Sequence, residues 1–209
     1  MTAPGSDSHY FDDDPSVPSA ERTVELVLPD VRLDLTTDRG VYGRSGVDVG
    51  TKLLLLDGPE PVDGDRELVD VGAGYGPIAC TLAGRNPGAR VWAVEVNGRA
   101  RDLCRRNALA AGLDNVVVAA PDEVPAGLVI DRIWSNPPIR IGKENLHRLL
   151  TRWLSQLGPA GSAHLVVQRH LGADSLARWL TDQGWRVERR RSRKAFRLLD
   201  VDRGAVGGP

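Results

Sequence analysis

Cysteine and histidine are scarce: among 209 residues only two are Cys and four are His. Cys80 and Cys104 show no CxxC spacing, and His9, His147, His164 and His170 form no HExxH or HxH pattern. Protein metal sites need denser clusters, so no metal is expected, and the two thiols read as small, reduced core residues. No apolar run approaches the roughly 18–20 residues that a membrane span needs. The opening residues also lack the basic and apolar segments of a signal sequence, so the expectation is a soluble, cytoplasmic protein that makes no membrane contact. Charge of one sign is missing too. With 27 Lys+Arg against 28 Asp+Glu the net charge is −1, which excludes a polycation built to coat nucleic acid. What is present is ordinary for one globular domain: 41% apolar and 26% charged residues.

The near-zero net charge conceals an asymmetry. Residues 1–40 carry nine acids and three arginines, whereas residues 186–197 carry seven bases and one acid. Such a basic run is either a footprint for a phosphate backbone or a charged edge that blocks strand-to-strand association. The sequence leaves both open.

The pattern divides the chain into an acidic, flexible arm (1–20), a hairpin and covering segment (21–57), a core (58–200) and a disordered tail (201–209). Val24, Leu26 and Leu28, then Val31, Leu33 and Leu35, alternate at period 2 on either side of Pro29-Asp30, which predicts a β-hairpin. From residue 66 onward, short apolar strands alternate with helical stretches such as 99–111 and 144–157. That alternation predicts an α/β, doubly wound, mostly parallel sheet, whose ligands bind at the carboxyl ends of the strands.

Two motifs fall at such ends. Asp70-Val71-Gly72-Ala73-Gly74-Tyr75-Gly76 follows a strand and opens a helix, a loop suited to a nucleotide-like ligand. The next strand ends at Glu95, where a carboxylate can accept both hydroxyls of a ribose. These leave a dinucleotide and S-adenosylmethionine as candidates. Asp70 favours the second, since its charge suits an amino group and would repel a pyrophosphate. So does Ser135-Asn136-Pro137-Pro138 at the end of the fourth parallel strand. Proline restricts the residue before it, so Asn136 is held extended, and its side-chain carbonyl and an adjacent peptide carbonyl form a fixed pair of acceptors for an NH₂ group. Aspartate there keeps two acceptor oxygens and is expected to retain more activity than alanine. Tyr42 and Trp134 read as core or near-core aromatics, with substrate stacking as the alternative.

The succession DVGAGYG, AVEVN, SNPP resembles the class I S-adenosylmethionine-dependent methyltransferases. More closely, HYFDDDPSVPS, GVYGRSGVDVGTKLLL and SNPPIRIGKENLHRLL resemble the methyltransferase small domain family, which includes 16S rRNA guanine-N2 methyltransferases and single-domain archaeal relatives. The resemblance implies a seven-stranded sheet in the order 3-2-1-4-5-7-6, a bound S-adenosylmethionine, methyl transfer to an amino nitrogen, and rRNA or a ribosomal subunit as partner. It assigns Asp70, Gly72, Ala73, Gly74 and Gly76 to the methionine half of the cofactor, Glu95 to its ribose and Asp122 to its adenine. Thr51 lies in a segment that in such relatives closes over the cofactor, and the resemblance implies the same role here. Asn136 and the Pro137 carbonyl orient the acceptor, Pro138 and Ile139 lie against it, and Arg140 and Lys143 meet phosphates. Arg190, Arg191 and Arg193 would extend that contact, while His147 has a packing role or a functional one. Many relatives carry an aromatic residue after Asn-Pro-Pro to stack on the target, and here Ile139 stands there. A protein glutamine, a small molecule, or a non-catalytic RNA-binding role are the rival readings.

Overall fold

The computed structural model describes residues 17–193 and 195–204. The acidic arm up to residue 16, Lys194 and the tail from residue 205 lie outside the described residues. The chain begins with the expected hairpin, β1 (Arg22–Val27) and β2 (Arg32–Thr37), in the register Val24↔Leu35 and Leu26↔Leu33. There follow α1 (Val49–Asp57), β3 (Glu67–Val71), α2 (Pro77–Arg85), β4 (Arg90–Val94), α3 (Gly98–Ala110), β5 (Val116–Ala119) and β6 (Ile130–Ser135). The remainder is α4 (Lys143–Leu154), β7 (Leu157–Gln168), α5 (Ala173–Asp182), β8 (Arg186–Arg193) and β9 (Phe196–Asp202). Single 3₁₀ turns, Ile139–Ile141 and Arg169–Leu171, follow β6 and β7.

Seven strands form one sheet in the order β5-β4-β3-β6-β7-β9-β8, with β9 antiparallel to both neighbours. Counted from β3, this is the order 3-2-1-4-5-7-6. Helices cover both faces because the strands are apolar on both. Leu68, Trp134 and Val166 pack with α1, α2, α3 and the hairpin. Their neighbours Val69, Ile133, Leu165 and Val167 pack with α4 and α5 on the other side. The chain winds outward from β3 to β5, then returns to β6 beside β3, so a crevice opens where the carboxyl ends of β3 and β6 diverge.

Acids of the first forty residues dock the hairpin onto the core. Asp30 takes two bonds from Arg85 of α2, at 2.7 and 3.0 Å, and Glu21 pairs with Arg106 of α3 at 2.6 Å. Buried Asn107 exchanges two hydrogen bonds with Thr36 of β2 and donates a third to the Tyr75 carbonyl at 2.8 Å, which ties hairpin and glycine loop to one helix. β9 extends through Asp202, two residues into the segment read as tail. No helix among the described residues is long and apolar enough to cross a membrane.

The basic run forms the edge strand β8, and acids answer most of its charge. Arg186 and Arg190 pair with Asp202 and Asp200 of β9, Arg189 with Asp174 of α5, and Arg191 and Arg193 with Asp57 at the end of α1. Arg190, Arg191 and Arg193, expected at RNA phosphates, are thus each held by a carboxylate. A strand that no neighbour covers tolerates charge, and charge on an edge discourages further pairing.

Candidate active site

The glycine loop leaves β3 at Val71 and turns into α2. Gly76 caps that helix with φ +95°, and a Cβ there would lie 2.6 Å from the Cys104 sulfur and 3.3 Å from that of Cys80. Both thiols are buried and unpaired, so they fill the space that glycine leaves beneath the loop. Gly74 has the opposite surroundings: its φ is +56°, and no heavy atom lies within 4 Å of a Cβ built on it. One glycine serves close packing and the other a bare backbone facing open space.

Glu95, just past β4, holds this loop from below. Its carboxylate accepts from the Gly74 N–H at 2.8 Å and from the Asn97 N–H at 2.9 Å. Burial raises its pKa, against the pull of those amides. Asp70 is placed differently from expectation. It is wholly buried under the loop, accepts from the Ala79 N–H at 3.0 Å and does not line the crevice. Burial first, and the charge of Glu95 as a smaller contribution, push its pKa up to about 8. Asp70 is therefore largely protonated at neutral pH, and the sequence argument that used its charge against a pyrophosphate loses its basis.

Asn136 leaves the end of β6 and meets the start of α1. Its amide nitrogen donates to Asp48 Oδ2 at 2.9 Å and to Thr51 Oγ1 at 3.1 Å. A carboxylate can only accept, so this pairing decides which way the amide lies and leaves Oδ1 as its free acceptor. Asp48 is itself fixed as the N-cap of α1: Oδ2 accepts from Gly50 and Thr51 N–H at 2.8 and 3.3 Å, and Oδ1 from the Tyr42 hydroxyl at 2.9 Å. The Pro137 carbonyl accepts from the Ile139 N–H at 2.8 Å, which leaves it one lone pair.

Two adjoining cavities share Gly72, Glu95 and Pro138. The first, about 220 Å³, brings together Thr51, Ala73, Gly74, Asn136, Pro137, Ile139 and Arg140 of the expected residues. The second, about 520 Å³, has walls from Val96, Pro121, Ile141, Leu149 and Trp153. Asp122 is exposed and lies outside both cavities; its neighbour Pro121 is the lining residue. Lys143 is exposed at the start of α4, and Gly76 sits behind the loop. His147 stacks on Trp179 with centroids 3.7 Å apart, a packing role. Trp134 is buried as expected, its indole N–H on the Pro59 carbonyl at 3.2 Å. Tyr42 is not a core residue: it is 65% exposed and lines the first cavity. The loop carrying it, with positive-φ glycines at 40, 43 and 46, buries Val41 and Val47 in the core and leaves Tyr42 between them on the outside. Asp48 is the site residue that sequence reasoning missed, and Tyr42 follows the alternative to the core reading; an acid two residues before Gly50-Thr51, opening a helix, is the N-cap signal that marks Asp48.

The model of the methyltransferase small domain matches residues 32–200. Similar proteins include the uncharacterized protein YbxB of Bacillus subtilis, 34% identical over 80% of this chain and 84% of its own length. Ribosomal RNA small subunit methyltransferase C of Pseudomonas aeruginosa is 30% identical over 76% of this chain, and that of Hahella chejuensis 35% over 72%. The chain spans about half the length of these rRNA methyltransferases, 52% and 45% respectively. Among solved structures, the Thermus thermophilus 16S rRNA N2 G1207 methyltransferase, in complex with AdoMet and guanosine, superposes with a TM-score of 0.72 at 23% identity, covering 90% of this chain and 52% of that one. A likeness at that identity shows the fold. The family match covers the sheet, the glycine loop, Glu95 and Asn136 together, and the chain belongs to the methyltransferase small domain family.

Proposed function

We propose that this protein is an S-adenosylmethionine-dependent N-methyltransferase that modifies an exocyclic amino group of guanine in ribosomal RNA. The observation that carries the reading is the clamped amide of Asn136. A side chain fixed by a carboxylate and a hydroxyl, with its carbonyl left over at a cavity, is suited to hold one N–H of an incoming amine. The carbonyl of the next residue, Pro137, supplies a second acceptor on the same rigid segment.

The residues fit the cofactor. Bare backbone at Gly74 offers close approach, Glu95 retains acceptor capacity beside it, and the larger cavity is apolar and roomy enough for a purine. Gly72, Ala73, Gly74 and Gly76 would shape the methionine side, Glu95 would hold the ribose, and Val96, Pro121 and Trp153 would flank the adenine in place of a direct Asp122 contact. S-adenosylmethionine supplies, when bound, an electrophilic methyl group. Asn136 and Pro137 hold the amine so that its lone pair points away from the ring it belongs to, which is orientation rather than proton chemistry. Asp48 already accepts four donors, so no general base is assigned, and the proton leaves after transfer. RNA as the acceptor is supported by the relatives that carry rRNA methyltransferase names.

The test is tritiated S-adenosylmethionine offered with deproteinised rRNA, assembled small subunits and a protein extract. Label in RNA, with turnover reduced about 10²-fold or more by Asn136→Ala and cofactor affinity changed by less than about 1 kcal/mol, is the expected result. Label in the protein fraction would move the substrate to a glutamine amide. No label in any fraction would overturn the enzyme reading in favour of a binding module.

A further inference from the structure

In this structure the position after Asn-Pro-Pro cannot provide a stacking surface. Ile139 is aliphatic, and it packs against the cluster of α4 and α5. Two aromatic residues among those described line the cavity that holds Asn136, and Tyr75 is 2% exposed with its ring under the loop. Tyr42 is the other. It enters from a different part of the chain, is largely exposed, and lies on the same cavity as Pro137 and Ile139.

Its exposure is not freedom. The phenol donates to Asp48 Oδ1 at 2.9 Å, while Asp48 Oδ2 accepts from Asn136 at 2.9 Å. One carboxylate therefore sets both the aromatic ring and the amide that receives the amine. Burial of the hydroxyl end, the charge of Asp48 and their hydrogen bond push the phenol's pKa up to about 12, so it stays a neutral donor across the working range. A large exposed aromatic carries a solvation cost unless something covers it, and a hydrogen bond at its hydroxyl anchors the ring in place in advance.

Resting on the methyl-transfer reading above, we infer that Tyr42 is the stacking platform for the acceptor, a nucleobase turned out of its strand, and that Asp48 aligns this platform with Asn136. A flipped base loses its neighbours in the stack, and an aromatic face in the pocket replaces them. The ring thus supplies, from a different segment lining the same cavity, what an aromatic after Asn-Pro-Pro would have supplied.

The experiment measures initial rates of tritium transfer to deproteinised rRNA and to small subunits for wild type, Tyr42→Leu and Tyr42→Phe, with S-adenosylmethionine affinity measured separately by calorimetry. Removing the ring in Tyr42→Leu is expected to raise KM for RNA about 10- to 100-fold, the usual worth of one base–aromatic stack. Cofactor affinity should stay within about twofold. Tyr42→Phe keeps the ring and loses the bond to Asp48, so KM for RNA should stay within about threefold while kcat falls. An unchanged KM in Tyr42→Leu, or equal KM losses in Leu and Phe, would overturn the stacking role while wild-type transfer to RNA left the methyltransferase reading standing. Parallel losses of cofactor affinity would mark Tyr42 as a structural support and overturn it as well. Absence of wild-type transfer to RNA would overturn both.

Discussion

Replacing Asn136 by Asp looks conservative and should not be. Asn136 Nδ2 lies 2.9 Å from Asp48 Oδ2, so the new carboxyl would face a carboxylate at that distance. With an effective dielectric of about 20, two unit charges so close repel by about 6 kcal/mol. At 1.36 kcal/mol per unit, that shifts the second ionisation of the pair by about four units, from about 4 to about 8. The single proton belongs on residue 136, because Asp48 still accepts from Tyr42, Gly50 and Thr51. The protonated side chain reproduces the wild-type arrangement: its O–H donates to Asp48 and its carbonyl stays available for the amine. The sign follows. Activity is present below the raised pKa and disappears as pH rises through it, falling about tenfold per unit above about pH 8. The assay is the initial rate of tritium transfer from saturating S-adenosylmethionine between pH 6 and 9.5, with wild type alongside. A variant whose profile runs parallel to wild type, or climbs with pH, would refute the clamp between Asp48 and Asn136.

Three further outcomes are expected. Asp70, buried with a pKa pushed up to about 8 from an ordinary 3.8, binds its proton more tightly folded than unfolded, so it lowers stability increasingly as pH rises from about 4 to about 8; Asp70→Asn should abolish that decline and raise the urea midpoint at pH 8, and an unchanged pH dependence would show that the carboxyl ionises freely in its buried site. Gly76→Ala should cost about 2–4 kcal/mol in chemical denaturation, from left-handed strain plus the 2.6 Å approach to Cys104, whereas Gly74→Ala meets no atom within 4 Å and should cost only about 1 kcal/mol; equal losses would contradict the packing described. Arg191→Gln with Arg193→Gln should leave the salt dependence of RNA binding within about 0.5 of its wild-type slope, while Arg140→Gln with Lys143→Gln should flatten it by about 1.4; filter binding at several salt concentrations that gave the reverse would return the phosphate footprint to β8.

The sequence alone determined the features that depend on neighbours along the chain. Strand and helix periodicities from residue 66 onward specified the βαβ alternation, and with it a parallel sheet whose crevice lies at the carboxyl ends. The glycine loop, Glu95 and Asn136 could be placed at that crevice because each closes a strand, and strand ends are legible from apolar runs that stop. The hairpin turn at Pro29-Asp30 was equally local. What tertiary structure decided were the partners that distance in sequence conceals. Asp48 and Asn136 are 88 residues apart, so nothing in either segment announces that one sets the amide of the other. Asp70 reads as a charged acid placed for a ligand's amino group and is buried beneath the loop with its pKa pushed up to about 8, because burial is a property of everything packed around it. The basic run of β8 shows the same division: its charge was plain in the sequence, but Asp57, Asp174, Asp200 and Asp202 reach it only through the fold. Local pattern follows from backbone geometry repeated every two or 3.6 residues, whereas the charge and orientation of a side chain depend on which distant atoms the fold brings within about 3 Å.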